Sequence, residues 1–136
     1  KAGIPHTVIS DRENLQSIVE TLTDGYGADV SVEAAGSYLS LKSCISCTRS
    51  KGTIVQMGLL HGQPEDISQL VYKEQFLHAS YAKTVDDWYR SVQMVKDKLV
   101  DLKPLVSDVL PLNEYQKAFE KSASAEGFKI MFDPRL

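Results

Sequence analysis

Two cysteines, Cys44 and Cys47, are the only thiols in 136 residues. That is too few for a disulfide framework, so a reducing cytoplasm is the expected compartment. A structural zinc needs four ligands, and the Cys44-x-x-Cys47 spacing has no second pair to complete it. No apolar run is long enough to cross a bilayer and no signal-peptide pattern is present. Strong charge of one sign is missing too: 15 basic against 18 acidic side chains leave a formal net charge of −3. A nucleic-acid or membrane surface is therefore not expected. His6, His61 and His78 show no His-x-x-x-His or Glu-x-x-His spacing, and no Gly-x-Ser-x-Gly elbow occurs. Metal and serine-hydrolase chemistry lose their usual signatures.

What is present is an alternation of strand and helix around Ala28 to Gly58. Ala28 to Val32 reads as a short strand nearly free of charge, bracketed by Asp29 and Glu33, as a strand covered on both faces should be. Ser37 caps a helix bearing Tyr38, Leu41, Cys44, Ile45 and Thr48; Arg49 to Gly52 form a turn; Thr53 to Met57 form a second strand. Two strands joined through a helix lie parallel with a right-handed crossover. Ligands of such sheets gather beyond the carboxyl ends of the strands, here Glu33 to Gly36 and Met57 to Leu60.

Upstream, Thr7 to Ile9 read as the tail of a strand. Ser10-Asp11-Arg12-Glu13 reads as a capping box opening a helix with Leu15, Ile18, Val19 and Leu22 on one face, and Gly25 as its left-handed stop. Downstream, Ile67 to Tyr72 suggest a short helix and Gln75 to Ser80 a third strand. Thr84 with Asp86 and Asp87 opens a long helix whose buried stripe is Trp88, Val92, Val95 and Leu99. After Asp101 to Pro104 the rhythm changes: Leu105 to Leu110 are extended, a short helix carries Leu112, Tyr115 and Phe119, and Phe128 to Phe132 alternate as a final strand. This tail reads as belonging to another layer or domain.

Candidate chemistry is sparse. Gly25-Tyr26-Gly27 precedes a strand instead of opening a helix, and Val30 stands where a third glycine belongs, so it reads as a turn and not a phosphate loop. Cys44 falls on the apolar face of its helix, where a free thiol packs as a small hydrophobe. His61 lies in a loop beyond a strand end, either as a surface histidine or near a ligand. Glu33 closes a parallel strand, where its carboxylate either faces a ligand or accepts from the amides of the next helix. Lys129, by period-two alternation, points away from Phe128, Ile130 and Phe132, as a solvated cation or one aimed at a phosphate.

Five segments in order, Gly-Ala-Asp-Val-x-Val-Glu-Ala-Ala-Gly (27 to 36), Lys-Gly-Thr-Ile-Val-x-Met-Gly (51 to 58), Asp-Leu-Lys-Pro-Leu-Val (101 to 106), Pro-Leu-x-Glu-x-x-x-Ala-Phe (111 to 119) and Lys-Ile-Met-x-Asp-Pro (129 to 134), closely resemble the medium-chain, zinc-dependent alcohol dehydrogenases. The sorbitol and threonine dehydrogenase branch is the nearest in pattern. The resemblance runs from about His6 to Pro134 and implies the carboxyl-terminal part of such an enzyme. It implies an α/β fold: the second half of a Rossmann parallel sheet over residues 1–82, then a small α+β tail over residues 83–136 that returns to the catalytic domain.

Position by position, the resemblance places Ala34 and Ala35 beside the adenosine half of NAD or NADP. Met57, Gly58 and Leu59 fall at the nicotinamide ribose, Ser80, Tyr81 and Ala82 at the carboxamide, and Lys129 at the pyrophosphate. No catalytic group and no metal ligand is carried over, because the family's zinc ligands and Gly-x-Gly-x-x-Gly turn have no counterpart here. The implied parent oxidises a secondary alcohol, a polyol or hydroxy-amino acid, with NAD(P) and zinc, as a homodimer or homotetramer joined through Gln75 to Ser80. The rival reading is a stand-alone, non-catalytic α/β module that binds a nucleotide or a partner chain. Under the first reading the strand at Ala28 is a sheet edge with no further partner inside this chain.

Overall fold

The computed structural model describes residues 4–10, 12–124 and 126–136, and the chain separates into two units, residues 6–82 and chiefly residues 83–136. In the first unit, helix α1 spans Leu15–Leu22. Its cap is Asn14, whose Oδ1 accepts from the Ser17 amide at 3.0 Å. The expected box at Ser10 is therefore corrected: Glu13 reaches back instead to the Ile9 amide at 2.8 Å, and Asp11 lies outside the described residues. Asn14 wins because it stands directly before the apolar stripe and needs no extra polar turn. The helix ends at Leu22 with Thr23 as its C-cap; Asp24 (φ 51°) and Gly25 (φ 81°) follow in the left-handed conformation, and Gly25 donates its amide to Glu20 O at 2.8 Å. Thr7 to Ile9 form no strand, a second correction; three residues with no neighbouring strand to bond cannot hold one.

Strand β1 (Ala28–Glu33), helix α2 (Tyr38–Cys47), strand β2 (Thr48–Gln56), helix α3 (Gln69–Tyr72) and strand β3 (Phe76–Ala79) complete this unit. The sheet order is β1-β2-β3, and both pairings are parallel. The expected turn at Arg49 to Gly52 appears as a bulge: Ala28 pairs with Thr48 and Val30 with Thr53, with Lys51 at φ 57° between them. Beside it, the Thr48 hydroxyl donates to Cys44 O at 2.7 Å and meets the Ser31 hydroxyl at 2.6 Å, tying the helix end to β1. Lys73 Nζ donates to Ile45 O, Ser46 O and Thr48 O. A cation thus sits on the carbonyls left free at the end of α2, where the helix dipole favours it.

The core is Leu41, Ile45 and Ile54, with Cys44, Leu60, Ile67 and Leu70 packed against it. Pairing places Ser31, Glu33, Ile54, Gln56 and Leu77 on the face under α2, and Val30, Val32, Val55 and Phe76 on the other. On that second face Val30 is 57% and Val32 55% exposed, so cover on both faces is corrected to cover on one. Among the described residues β1 pairs only with β2, leaving its other edge open.

In the second unit, helix α4 spans Val85–Lys96 and opens on a reciprocal cap: Thr84 Oγ1 accepts from the Asp87 amide, and an Asp87 oxygen accepts from the Thr84 amide. Its stripe was expected to be buried, yet Trp88, Val92, Val95 and Leu99 are all exposed. Periodicity marks the face that wants cover but cannot supply the element that gives it. Strand β4 (Val106–Leu110), helix α5 (Tyr115–Ala123) and strand β5 (Lys129–Phe132) follow, with β4 and β5 parallel. Ala118 is buried against them, and Lys121 reaches Asp108 at 2.9 Å.

Two substitutions separate these contributions. Ile54→Ala should cost about 3 kcal/mol and lower the denaturant midpoint of the first unit. Thr84→Ala should cost about 1 kcal/mol and show as faster amide hydrogen exchange through Val85 to Trp88.

Candidate functional site

The three parallel strands end side by side, at Glu33, Gln56 and Ala79. Each is followed by one of the segments expected to meet the ligand. The turns after β1 and β2 close directly on one another. Gly36, at φ +75°, lies so near Leu59 that an added Cβ would stand 2.6 Å from the Leu59 carbonyl oxygen, and one on Gly58 would stand 2.5 Å from Gly36 Cα. Only glycine admits this approach and this φ together. Met57 and Gly58 donate their amides to Glu33 O at 2.8 and 3.1 Å, and His61 donates its own to Gly36 O at 2.8 Å. The end of β3 joins through the Ser80 amide, 2.9 Å from Gln56 O.

Beneath the turns lies Glu33, 1% exposed. The structure decides between its two readings: the carboxylate accepts from its own neighbourhood. Oε1 takes the Ala35 amide at 2.9 Å, the Gly36 amide at 2.8 Å and the Ser40 hydroxyl at 2.6 Å. Oε2 takes the Gln56 side-chain amide, whose nitrogen also donates to Gly58 O at 2.7 Å. Burial, the largest single influence, pushes the Glu33 pKa up. The hydrogen bonds from Ser40, Gly36, Gln56 and Ala35 together outweigh it and hold the group below its ordinary value.

Ala34, Ala35, Met57, Leu59, Ser80, Tyr81 and Ala82 are exposed, arranged along the strand ends above this buried group. Ala34–Ala35 and Met57–Leu59 are brought together; Ser80 is hydrogen-bonded to the same row. Tyr81 stands 82% exposed and Ala82 takes a positive φ of 61°. Ala35 also borders a groove of about 690 Å³ between α1, α2 and β1, with Val19, Leu39 and Cys44 in its wall. Lys129 belongs to the other unit. There it opens β5, exposed, and borders a hollow of about 270 Å³ with Phe119, Phe128, Ile130 and Phe132. Phe128 precedes β5, so the period-two alternation applies only from Lys129 to Phe132.

Gln56 and Ser40 were missed from sequence. A signal existed for Gln56: period two puts this polar residue on the covered face with Ile54, where it needs a partner. Its Oε1 is buried and unpartnered among the described residues. Cys44 and Cys47 pack as thiols whose pKa burial pushes up, and His61 is exposed. Among the described residues no three His, Cys, Asp or Glu side chains converge as a metal site, and no helix is long and apolar enough to cross a membrane. A dinucleotide suits the strand ends in one respect the geometry shows: two glycines let the turns close, and two exposed alanines keep their outer surface low enough for a flat ring or sugar to meet backbone.

Residues 1–97 match the family model described as zinc-binding dehydrogenase. A sorbitol dehydrogenase of Halalkalibacterium halodurans is 31% identical over 98% of this chain and 40% of its own length. An L-threonine 3-dehydrogenase of Proteus mirabilis is 26% identical over 98% of this chain and 39% of its own. The chain thus spans about two fifths of the length of these relatives, over their carboxyl-terminal part. Among solved structures, an alcohol dehydrogenase from Thermus sp. ATN1 superposes with a TM-score of 0.80 at 20% identity, covering 92% of this chain and 37% of that one, which shows the same fold.

The Glu33 network has a pH signature. A folded-state pKa below the ordinary 4.5 adds stability that is complete above the unfolded value and is lost as pH falls through the folded one. Wild type should exceed Glu33→Gln by about 2 kcal/mol at neutral pH, and urea midpoints should show the gap narrowing on acidification. A gap that stays constant down to about pH 3 would contradict the lowered pKa.

Proposed function

The chain belongs to the zinc-binding dehydrogenase family, and from that premise we propose that it forms the carboxyl-terminal, cofactor-binding part of an oxidoreductase that transfers hydride between a secondary alcohol and NAD or NADP. The observation carrying this reading is the closure of the Ala34–Gly36 and Met57–Leu59 turns at the ends of two parallel strands, the place where such sheets take ligands. Residues 1–82 act as the second half of the dinucleotide-binding domain, and residues 83–136 as the segment returning to the catalytic domain. Ala34 and Ala35 line the adenosine half, Met57, Gly58 and Leu59 the nicotinamide ribose, and Ser80, Tyr81 and Ala82 the carboxamide. Lys129 supplies a cation for the pyrophosphate.

Bound nicotinamide would supply the hydride-accepting ring, and zinc, held by parts of the enzyme outside these residues, a Lewis acid. This chain's own contribution is to bind and orient: small residues and backbone present a low wall, and no side chain here moves a proton. The substrate class is a polyol or hydroxy-amino acid, in keeping with the sorbitol and threonine dehydrogenase names of its relatives. The enzyme works in the cytoplasm. It is a homodimer or homotetramer joined along β3, whose outer edge has no partner among the described residues and whose Phe76 is 54% exposed.

An alcohol panel against NAD and NADP tests this with the complete natural chain. Oxidation of a polyol or a hydroxy-amino acid with one cofactor is the expected result; binding of neither dinucleotide would refute it. Residues 1–136 alone should show no turnover and bind either dinucleotide poorly, since they offer only part of the cofactor wall.

A further inference from the structure

We propose that Glu33 is a positioning residue for the bound dinucleotide, holding the turns after β1 and β2 in the relative placement that the ligand meets. This rests on the cofactor-binding reading above and names the residue on which that wall is built. All three oxygens of Glu33 accept hydrogen bonds, from different parts of the strand ends. Its Oε1 holds the Ala35 and Gly36 amides at 2.9 and 2.8 Å. Its Oε2 holds the Gln56 amide, which passes the contact on to Gly58 O. Its main-chain carbonyl holds the Met57 and Gly58 amides at 2.8 and 3.1 Å. The Ser40 hydroxyl, 2.6 Å from Oε1, anchors the carboxylate to α2. Among the described residues of the unit, no other bonds both turns in this way through side chain and main chain together.

The charge has a second consequence. The amino end of a helix in a parallel sheet normally offers free amides and a positive dipole end to an anion. At α2 the Ala35 and Gly36 amides are already given to Glu33, and Ser37 accepts from the Ser40 amide. The anion is internal. The surface above it, with Ala34 and Ala35 exposed, is low enough for an uncharged base or ribose to meet backbone.

Glu33→Gln separates positioning from mere stability. It keeps an acceptor for the Ala35 and Gly36 amides but turns an NH2 group towards Gln56, where two donors then meet. In the complete natural chain, NADH and NADPH affinity is read by the fluorescence of the bound dinucleotide, well below the melting temperature and with folded far-UV dichroism. Glu33→Gln should weaken the preferred dinucleotide about tenfold. It should raise the KM for that cofactor by a similar factor and leave the KM for the alcohol nearly unchanged. A folded Glu33→Gln that binds as tightly as wild type overturns the proposal. Should Glu33→Gln not fold, Gln56→Met decides: it removes the donor to Oε2 and to Gly58 O and leaves three donors on the carboxylate. About threefold weaker binding supports the proposal, and unchanged binding overturns it. If wild type itself binds neither dinucleotide, the cofactor reading fails and the proposal with it, an outcome distinct from wild-type binding that Glu33→Gln leaves intact.

Discussion

A carboxylate removed from water must be surrounded by donors or give up its charge. In residues 6–82 that requirement is met at the one place where the sheet's strands end together. Glu33 draws two amides from the turn after its own strand, a hydroxyl from the next helix and an amide from the neighbouring strand. The bonds cross from β1 to α2 and from β1 to β2, so the group ties the local geometry of both turns to the parallel pairing beneath them. Gly36 and Gly58 are the steric counterpart. Donors can converge on Glu33 from both strands only because no side chain keeps the two turns apart.

The rest of this unit follows from having one face covered. Leu41 and Ile45 from α2 close on Ile54, and the loop carrying Lys73 and Gln75 returns to satisfy carbonyls where α2 gives way to β2. The opposite face keeps Val30, Val32 and Phe76 in solvent. In the second unit α4 likewise carries an exposed apolar stripe, although its amino end is fully capped. Parallel sheets are stable chiefly when both faces are covered. Apolar faces on this scale therefore accord with a chain that spans about two fifths of the length of its relatives.

Much of this was legible beforehand, and the reason differs by element. The strand–helix–strand run from Ala28 to Gln56 could be read because three kinds of signal agree there: β-branched strands, a serine cap and glycines after each turn. The start of α4 was legible because Thr84, Asp86 and Asp87 put carboxylates at the amino end of the helix dipole, although the reciprocal cap between Thr84 and Asp87 came only from the structure. Ser10 to Glu13 carried a capping-box pattern and did not cap α1, because Asn14 takes the role within four residues. The stripe of α4 could be read but not its burial, and the covered-looking β1 proved open on one face. Both depend on neighbours that periodicity does not describe.

Residue order by itself determined that β1, β2 and β3 would lie parallel, and that the ends of β1 and β2 would be the place to look. These follow from backbone propensity and from the handedness of a helical crossover, both properties of short stretches of chain. Only the tertiary structure decided what Glu33 does there. A glutamate at a strand end can face outward or inward with equal local ease. The choice was made by Gln56, 23 residues away in sequence, and by the glycine contact that brings Gly58 over it, because donors from separate elements converge on a buried charge only once the elements have packed.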